Sequence, residues 1–278
     1  MAMLADTLEG IGATARWTAA ARALERERPD PLLDDPWAAR LAGADGMAWL
    51  ARQAPGATLP MVLRARFFDD WLLSCVDGDR LAQVVLLGSG LETRAWRLAW
   101  PAGTVLFEID RGPVLELKAA MLDEARALLG CRREAITADL AEGWPSMLFD
   151  AGFDPARPTA WLAEGVLFYL PDAVARDVLA AVSRLSAPGS RLGFDIPNRA
   201  VLTSPWTKAW IDMQAAAGAP WQAAMDDPTG ELAPLGWAAA VSQLGLGASG
   251  HGRWTLPILP AAATELPHSW CVTATFEG

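Results

Sequence analysis

The chain has 278 residues, and its hydrophobic content of 52% is ample for one sizeable core. Its formal net charge of −10 argues against nucleic acids and anionic membranes as partners, because both attract basic surfaces. No stretch of about 20 residues is apolar enough to span a bilayer. The acidic N-terminal segment also lacks the apolar core of a secretory signal, so a cytoplasmic protein is expected. Three cysteines far apart in the sequence predict neither a disulfide framework nor a zinc site: Cys75, Cys131 and Cys271.

Three regions with different patterns follow one another along the chain. Residues 1–75 are helical in pattern and contain no convincing strand. From residue 83 onward, strand and helix signals alternate, which predicts a mainly parallel sheet covered on both faces. Residues 197–246 are helical in pattern and rich in tryptophan, and residues 268–276 alternate as a final strand. The strands predicted in the alternating region are 84–87, 105–110, 135–139, 159–163 and 191–196, and its helices include 113–129 and 172–185.

The segment QVVLLGSGLETRAWRL, which begins at Gln83, carries the strongest functional signal. An apolar run enters the turn Gly88-Ser89-Gly90, a helix-compatible stretch follows, and a second apolar run ends in Asp110. This order of strand, glycine turn, helix, strand and acid is typical of an α/β sheet that binds a nucleoside. The glycines leave room for a ligand near the backbone, because they have no Cβ. Asp110 can accept hydrogen bonds from both ribose hydroxyls.

This segment alone leaves the identity of the nucleoside open. A dinucleotide site has the pattern G-x-G-x-x-G, and Thr93 stands where the third glycine is expected. The incomplete pattern disfavours NAD and favours a ligand without a pyrophosphate, such as S-adenosylmethionine. A third interpretation is a strand–helix turn whose glycines are purely structural, but the acid at the expected distance disfavours it.

The carboxyl ends of the next two predicted strands also carry acids. The third strand ends in Asp139-Leu140, where the acid can accept from an adenine amino group while the apolar side chain covers the ring. The fourth strand is followed by Glu164, which lies where the ligand's ammonium and sulfonium are expected. Since the carboxyl ends of parallel strands meet at one edge of a sheet, these residues are predicted to share one cofactor site.

Several segments resemble the leucine carboxyl methyltransferase family. LLGSGLETRAWRL and FEIDRGPVLELKAAML are similar to the nucleotide site of that family, and TAAARALERERPDPLLDDPWAARL is similar to its opening helices. RARFFDDWL resembles the segment before the first strand, and AGFDPARPTAWLAEGVLFYLP resembles the fourth strand and its turn. HGRWTLP and PHSWCVTATF resemble the closing strands. The family includes enzymes that methylate the C-terminal carboxylate of protein phosphatase catalytic subunits. It also includes bacterial O-methyltransferases of polyketide pathways, which this chain resembles more.

The resemblance implies an α/β fold, the Rossmann-like sheet of class I methyltransferases, mainly parallel with an antiparallel C-terminal strand. It implies a single domain with a helical cap (1–75), a cofactor-binding core (76–196), a helical insertion on the substrate side (197–250) and closing strands (251–278). It also places an arginine of the cap over the cofactor, as the partner of the methionine carboxylate. Arg66 is the candidate for this role, and Arg64, two residues away, is the alternative; Arg66 could equally be a surface residue.

The expected activity is direct in-line methyl transfer from S-adenosylmethionine to an oxygen of a small organic acceptor. No clear general base is visible, which favours a carboxylate acceptor over a hydroxyl. Tyr169 is the candidate catalytic residue, although it could simply close the pocket wall. Trp206, Trp210 and Trp221 are candidates for the substrate pocket, with core packing as the alternative. Two other classes stay open, a catalytically silent scaffold that binds S-adenosylmethionine and a nicotinamide-dependent oxidoreductase. The oligomeric state and the acceptor's identity are left open.

Overall fold

Helices form the N-terminal part of the computed structural model, which describes residue 8 and residues 10–53, 56–255 and 257–278. Helix α1 (Ile11–Arg26) packs against α2 (Ala38–Leu50), and α3 (Leu59–Leu73) continues into a π-helical turn. The contact between α1 and α2 is built on small buried side chains, including Ala19 and Ala42, which let two helices approach closely. The helical pattern predicted for this region is confirmed for the residues described.

A seven-stranded sheet forms the centre of the described chain. Its strands lie in the order β3-β2-β1-β4-β5-β7-β6, and β7 runs antiparallel to both of its neighbours while the other pairs are parallel. The predicted Rossmann-like sheet with an antiparallel C-terminal strand is therefore confirmed. The strands are β1 (Gln83–Leu87), β2 (Val105–Asp110), β3 (Arg132–Thr137), β4 (Thr159–Ala163), β5 (Arg191–Pro197), β6 (Trp237–Gln243) and β7 (Ser269–Phe276).

Helices cover both faces of this sheet, which explains the continuous apolar runs of its central strands. On β1, Val85 and Leu87 join the core on one face, whereas Val84 and Leu86 join the core on the other. Because side chains alternate across a strand, a strand buried on both faces needs apolar residues at every position. The remaining helices are α4 (Arg94–Arg97), α5 (Gly112–Glu124), α6 (Trp144–Asp150), α7 (Asp172–Arg184), α8 (Arg199–Thr203), α9 (Lys208–Ala216) and α10 (Pro228–Leu232).

Strand β6 corrects the prediction that residues 197–250 form a helical insertion. Its sequence, WAAAVSQ, is rich in alanine and favours a helix. It nevertheless pairs with β7 along its whole length, from Trp237 opposite Phe276 to Gln243 opposite Trp270. Backbone pairing at the sheet edge outweighs this weak local preference. The helical prediction holds for the earlier part of the segment, which contains α8, α9 and α10.

Further boundaries differ from the predicted ones. Helix α5, predicted over 113–129, ends at Glu124. Strand β3 covers Arg132–Thr137 rather than the predicted 135–139. Its first residues are polar and half-buried or exposed at the sheet edge, so they lack the apolar pattern of a strand. In the closing region 251–278, the described residues form one strand, β7. The described residues of HGRWTLP, which resembles a closing strand, are irregular. Among the described helices, none has the length and apolar character needed to cross a bilayer. The three cysteines are free thiols.

Candidate functional site

A cavity of about 380 Å³ opens at the carboxyl ends of the central strands. It lies beneath α1 and α3, which contribute Trp17 and Arg64 to its lining. The cavity brings together most of the residues predicted from the sequence, although they come from distant parts of the chain. These lining residues are Gly88, Gly90, Asp110, Asp139, Leu140, Glu164, Tyr169, Trp210 and Trp221.

The turn after β1 forms one side of this cavity. Gly88 and Gly90 both have positive φ angles, +65° and +52°, which favour glycine. A Cβ at Gly88 would lie 2.4 Å from Cγ2 of Val166, so this glycine is required by protein packing as well as by backbone conformation. The prediction that the glycines make room for a ligand therefore omits this contact. Around Gly90, an added Cβ would meet Ala15 at an ordinary distance of 3.5 Å.

Asp110, at the end of β2, holds the glycine turn in place. Its Oδ2 accepts a hydrogen bond from the backbone N–H of Gly90 at 2.6 Å, and its Oδ1 accepts one from Arg111 at 2.7 Å. Burial raises the pKa of Asp110 above its usual value, although both hydrogen bonds oppose this effect. Each carboxylate oxygen keeps a further lone pair, so Asp110 can also accept from a ligand in the cavity.

Asp139 and Leu140 occupy the loop after β3. Oδ1 of Asp139 accepts from the backbone N–H of Ala141 at 2.9 Å, which orients the carboxylate, and Leu140 is buried beside it. Both line the cavity. Their predicted role beside an adenine ring stays a prediction.

Glu164, after β4, lies between two arginines. Its Oε1 is 3.0 Å from Nε of Arg64, and its Oε2 is 2.5 Å from Nη2 of Arg94. Burial alone would raise the pKa of Glu164, but Arg94 and Arg64 outweigh it and hold the pKa below its usual value. Glu164 is therefore a carboxylate at neutral pH, and it forms ion pairs with both guanidinium groups.

Arg64 also contacts Asp195, a cavity residue that the sequence predictions did not include. Nη1 of Arg64 lies 2.9 Å from Oδ2 of Asp195, whose Oδ1 accepts from the backbone N–H of Gly165 at 2.6 Å. Burial raises the pKa of Asp195, and Arg64 opposes this. The same strand-end rule that selected Asp110 would have found Asp195, because it lies near the carboxyl end of β5. Gly165 admits the arginine: a Cβ there would lie 2.8 Å from Nη2 of Arg64.

The structure corrects the choice of Arg66 as the cavity arginine. Arg66 does not appear among the described residues that line the cavity. Its Nε donates to Asp70 at 2.9 Å and its Nη1 to the carbonyl of Leu32, with 39% of its side chain exposed. Two residues along an α-helix turn the side chain by about 200°. Arg64 therefore faces the sheet, whereas Arg66 faces away from the cavity.

Four aromatic side chains that line the cavity contact one another and form an aromatic wall: Phe168, Tyr169, Trp210 and Trp221. Trp221 lies 4.0 Å from Phe168 and 4.3 Å from Trp210 between ring centroids, and Phe168 lies 4.6 Å from Tyr169. Burial raises the pKa of Tyr169, so its phenol remains protonated at neutral pH. Trp206 is not part of this wall, which corrects the prediction: it precedes α9 and is 72% exposed.

A buried charge cluster lies directly behind the glycine turn. Nζ of Lys118, which is fully buried, lies 2.8 Å from Oε2 of Glu108 and 3.9 Å from Oε1 of Glu92, and it donates to Oγ of Ser89. Burial raises the pKa of Glu92 to about 7; Glu108 adds to this and Lys118 opposes it. The sequence predictions did not include this cluster, whose members lie apart in the sequence: Glu92 after the glycine turn, Glu108 within β2 and Lys118 within α5.

Comparison with known proteins decides the family. Residues 15–183 match the model of the leucine carboxyl methyltransferase family, which is more than half of the chain. The chain belongs to this family. A relative from Streptomyces coelicolor, assigned as an S-adenosyl-L-methionine-dependent methyltransferase, is 41% identical over 256 residues, covering 88% of this chain and 89% of the relative. Another with the same assignment, from Mycolicibacterium gilvum, is 38% identical and covers 85% of this chain and 86% of its own length.

Solved structures agree with the fold of this leucine carboxyl methyltransferase family member. A crystal structure of a DUF574 family protein from Streptomyces avermitilis has a TM-score of 0.66 at 17% identity, covering 98% of this chain and 99% of that one. Magnesium protoporphyrin IX methyltransferase from Synechocystis, solved with bound SAH, has a TM-score of 0.52 at 15% identity and covers 84% of this chain and 95% of that one. The predicted family and the class of S-adenosylmethionine-dependent methyltransferase are therefore confirmed.

Proposed function

We propose that the protein transfers a methyl group from S-adenosylmethionine to an oxygen of a small organic acceptor, with a carboxylate as the preferred acceptor. The observation that carries this proposal is that one cavity is lined by two kinds of residues. These are the glycine turn with the strand-end acids, and the aromatic wall of Phe168, Tyr169, Trp210 and Trp221. A cofactor and an acceptor can thus occupy adjoining spaces.

The residues present fit the cofactor. Asp110 offers carboxylate lone pairs for ribose hydroxyls, and Asp139 with Leu140 offers an acceptor and an apolar surface for adenine. Arg64 supplies a guanidinium for the methionine carboxylate, and Glu164 supplies a negative charge near the ammonium. We assign Arg64 this role in place of Arg66 because Arg64 lines the cavity.

When bound, S-adenosylmethionine supplies an activated methyl group that an acceptor oxygen takes by direct in-line transfer. The protein's contribution is then mainly to position the acceptor, an effect worth about 7–11 kcal/mol in favourable cases. The aromatic wall and α1 exclude water from the acceptor space. A carboxylate acceptor is ionised at neutral pH and needs no base. Tyr169, held protonated, can donate a hydrogen bond at the acceptor side.

A hydroxyl acceptor is the second candidate, and Asp195 favours it. This carboxylate lines the cavity next to Arg64, and burial raises its pKa, both of which suit a general base. The sequence predictions named no base, so this residue weakens the argument for a carboxylate acceptor that rested on a missing base.

Two measurements test the proposed function. Calorimetry should show binding of S-adenosylhomocysteine and none of NADH; the reverse result would favour the nicotinamide-dependent oxidoreductase. Incubation with methyl-labelled S-adenosylmethionine and a metabolite library should then give a labelled product that releases methanol in mild base, as carboxyl methyl esters do. A base-stable product would refute the carboxylate and support Asp195 as a base. Cofactor binding without turnover of any acceptor would favour the silent scaffold.

A further inference from the structure

Helix α9 buries a polar residue and exposes apolar ones. Among the described residues of α9, only Gln214 is buried, with 3% of its surface exposed. Met213, its neighbour, is 41% exposed. Buried positions of a surface helix normally carry apolar side chains, so this inversion calls for a polar partner.

The side chain of Gln214 lacks such a partner within the described protein. Its Oε1 is shielded from solvent and has no hydrogen-bond partner among the residues that the structure describes. A buried polar atom without a partner costs about 1–3 kcal/mol, and native proteins rarely leave one unpaired. Gln214 lines the cavity, and the terminal torsion of a glutamine is broad, so a bound ligand can draw this oxygen toward itself.

The surroundings of Gln214 specify what kind of ligand would do so. Trp210, one helical turn earlier on α9, lines the same cavity and meets Trp221 edge-on at 4.3 Å. With Phe168 stacked obliquely on Trp221 at 4.0 Å, the acceptor space presents aromatic surfaces. Aromatic surfaces favour flat, unsaturated groups, and an orphaned carbonyl oxygen requires a hydrogen-bond donor.

We propose that Gln214 determines acceptor specificity by accepting a hydrogen bond from a hydroxyl or N–H group on a planar, unsaturated acceptor. This inference rests on the proposed function, since it names the substrate class of the same site. The donor that Gln214 recognises is distinct from the oxygen that receives the methyl group. The acceptor class is therefore a planar ring or conjugated system with two polar groups.

The test uses the full chain loaded with S-adenosylhomocysteine and a paired fragment library. Each set contains a hydroxy- or amino-substituted arenecarboxylate, its O-methylated or N,N-dimethylated counterpart, which has no donor, and its ring-saturated counterpart, and binding is followed by ligand-observed NMR. The wild type should prefer the planar, donor-bearing member. Gln214→Met, nearly isosteric and without polar atoms, should lower that affinity roughly 2- to 12-fold, the value of one neutral hydrogen bond. Met213→Gln, on the exposed face of α9, is the matched control and should bind like the wild type.

Each outcome decides the matter. Equal affinity of Gln214→Met and wild type for the donor-bearing members would overturn the proposal. So would a wild type that binds the methylated or the saturated member as tightly as the planar, donor-bearing one. If Gln214→Met does not fold, the pairwise preference of the wild type remains as the test. Binding of S-adenosylhomocysteine is measured on the same samples. Its absence would contradict the proposed function, whereas cofactor binding without the pairwise preference would overturn the role of Gln214 alone.

Discussion

Replacing Arg64 with alanine should weaken both the fold and cofactor binding. Arg64 is 16% exposed and contacts two acids, Glu164 at 3.0 Å and Asp195 at 2.9 Å. Breaking a buried ion pair costs about 3–5 kcal/mol. Glu164 keeps its contact with Arg94, and Asp195 can take up a proton because its pKa is already raised. The expected loss in the free energy of unfolding is therefore near the lower end of that range, about 3 kcal/mol.

The effect on binding is separate from the effect on stability. A hydrogen bond to a charged group contributes about 1.5–3 kcal/mol, so Arg64→Ala should weaken S-adenosylhomocysteine binding by roughly 10- to 150-fold. The matched control is Arg66→Ala, which removes a solvent-exposed pair with Asp70 four residues away on α3. Such pairs contribute about 0.3–0.5 kcal/mol, and Arg66 does not line the cavity.

Urea unfolding and titration calorimetry measure the two quantities on the same preparations. Affinity is compared at a temperature where both variants are folded, because unfolded protein would mimic weak binding. A folded Arg64→Ala variant with wild-type affinity would refute the assignment of the methionine carboxylate to this arginine. Weakening by Arg66→Ala of the same size would refute the geometric distinction between the two positions.

Three further substitutions test other contacts of the site. Asp110→Ala should weaken S-adenosylhomocysteine binding by about 1.5–3 kcal/mol in calorimetry, and unchanged affinity in a folded variant would contradict the ribose assignment. Gly88→Ala places a Cβ against Val166 at a positive φ, so it should lower the unfolding free energy by at least about 1 kcal/mol; a neutral result in urea would show that Val166 can move aside. Glu92→Gln tests the charge cluster through pH. The folded pKa of about 7 lies above the ordinary unfolded value, so the folded state binds more protons and wild-type stability should fall as pH rises from about 4.5 to 7. The stability of Glu92→Gln relative to wild type should therefore increase across that window, and a constant difference between the two would be the contrary result.

The central sheet was predictable because burial on two faces leaves a clear sequence pattern. Strands β2 and β4 begin and end at the predicted residues, since each is an apolar run bounded by turn residues. The two edge strands, β3 and β6, were harder to predict from the sequence pattern. Strand β3 opens with polar residues, so only its later part was predicted, and β6 contains a run of three alanines and was not predicted as a strand.

The candidate site was predictable where a residue's place depends on the strand ends. Asp110, Asp139 and Glu164 reach the cavity because parallel strands end at one edge of the sheet. Residues on helices were harder to place. Choosing Arg64 over Arg66 requires knowing which face of α3 is buried, and the two arginines lie two residues apart in a segment without a strong apolar stripe. Gln214 gave no signal at all, because a glutamine in a helix is ordinarily a solvent-exposed residue.

The contact between Gly88 and Val166 sets limits on how the acceptor space can diverge among relatives. Val166 immediately precedes the 3₁₀ turn Leu167–Tyr169, so side chains on that part of the aromatic wall are tied to the glycine turn. Trp210 and Gln214 stand apart from this contact, because they lie on α9, beyond residues 15–183, the part that matches the family model. Exchange of the segment around α9 between relatives should therefore change which acceptor is methylated while leaving the cofactor turn intact. Exchange of residues 166–169 should disturb both at once.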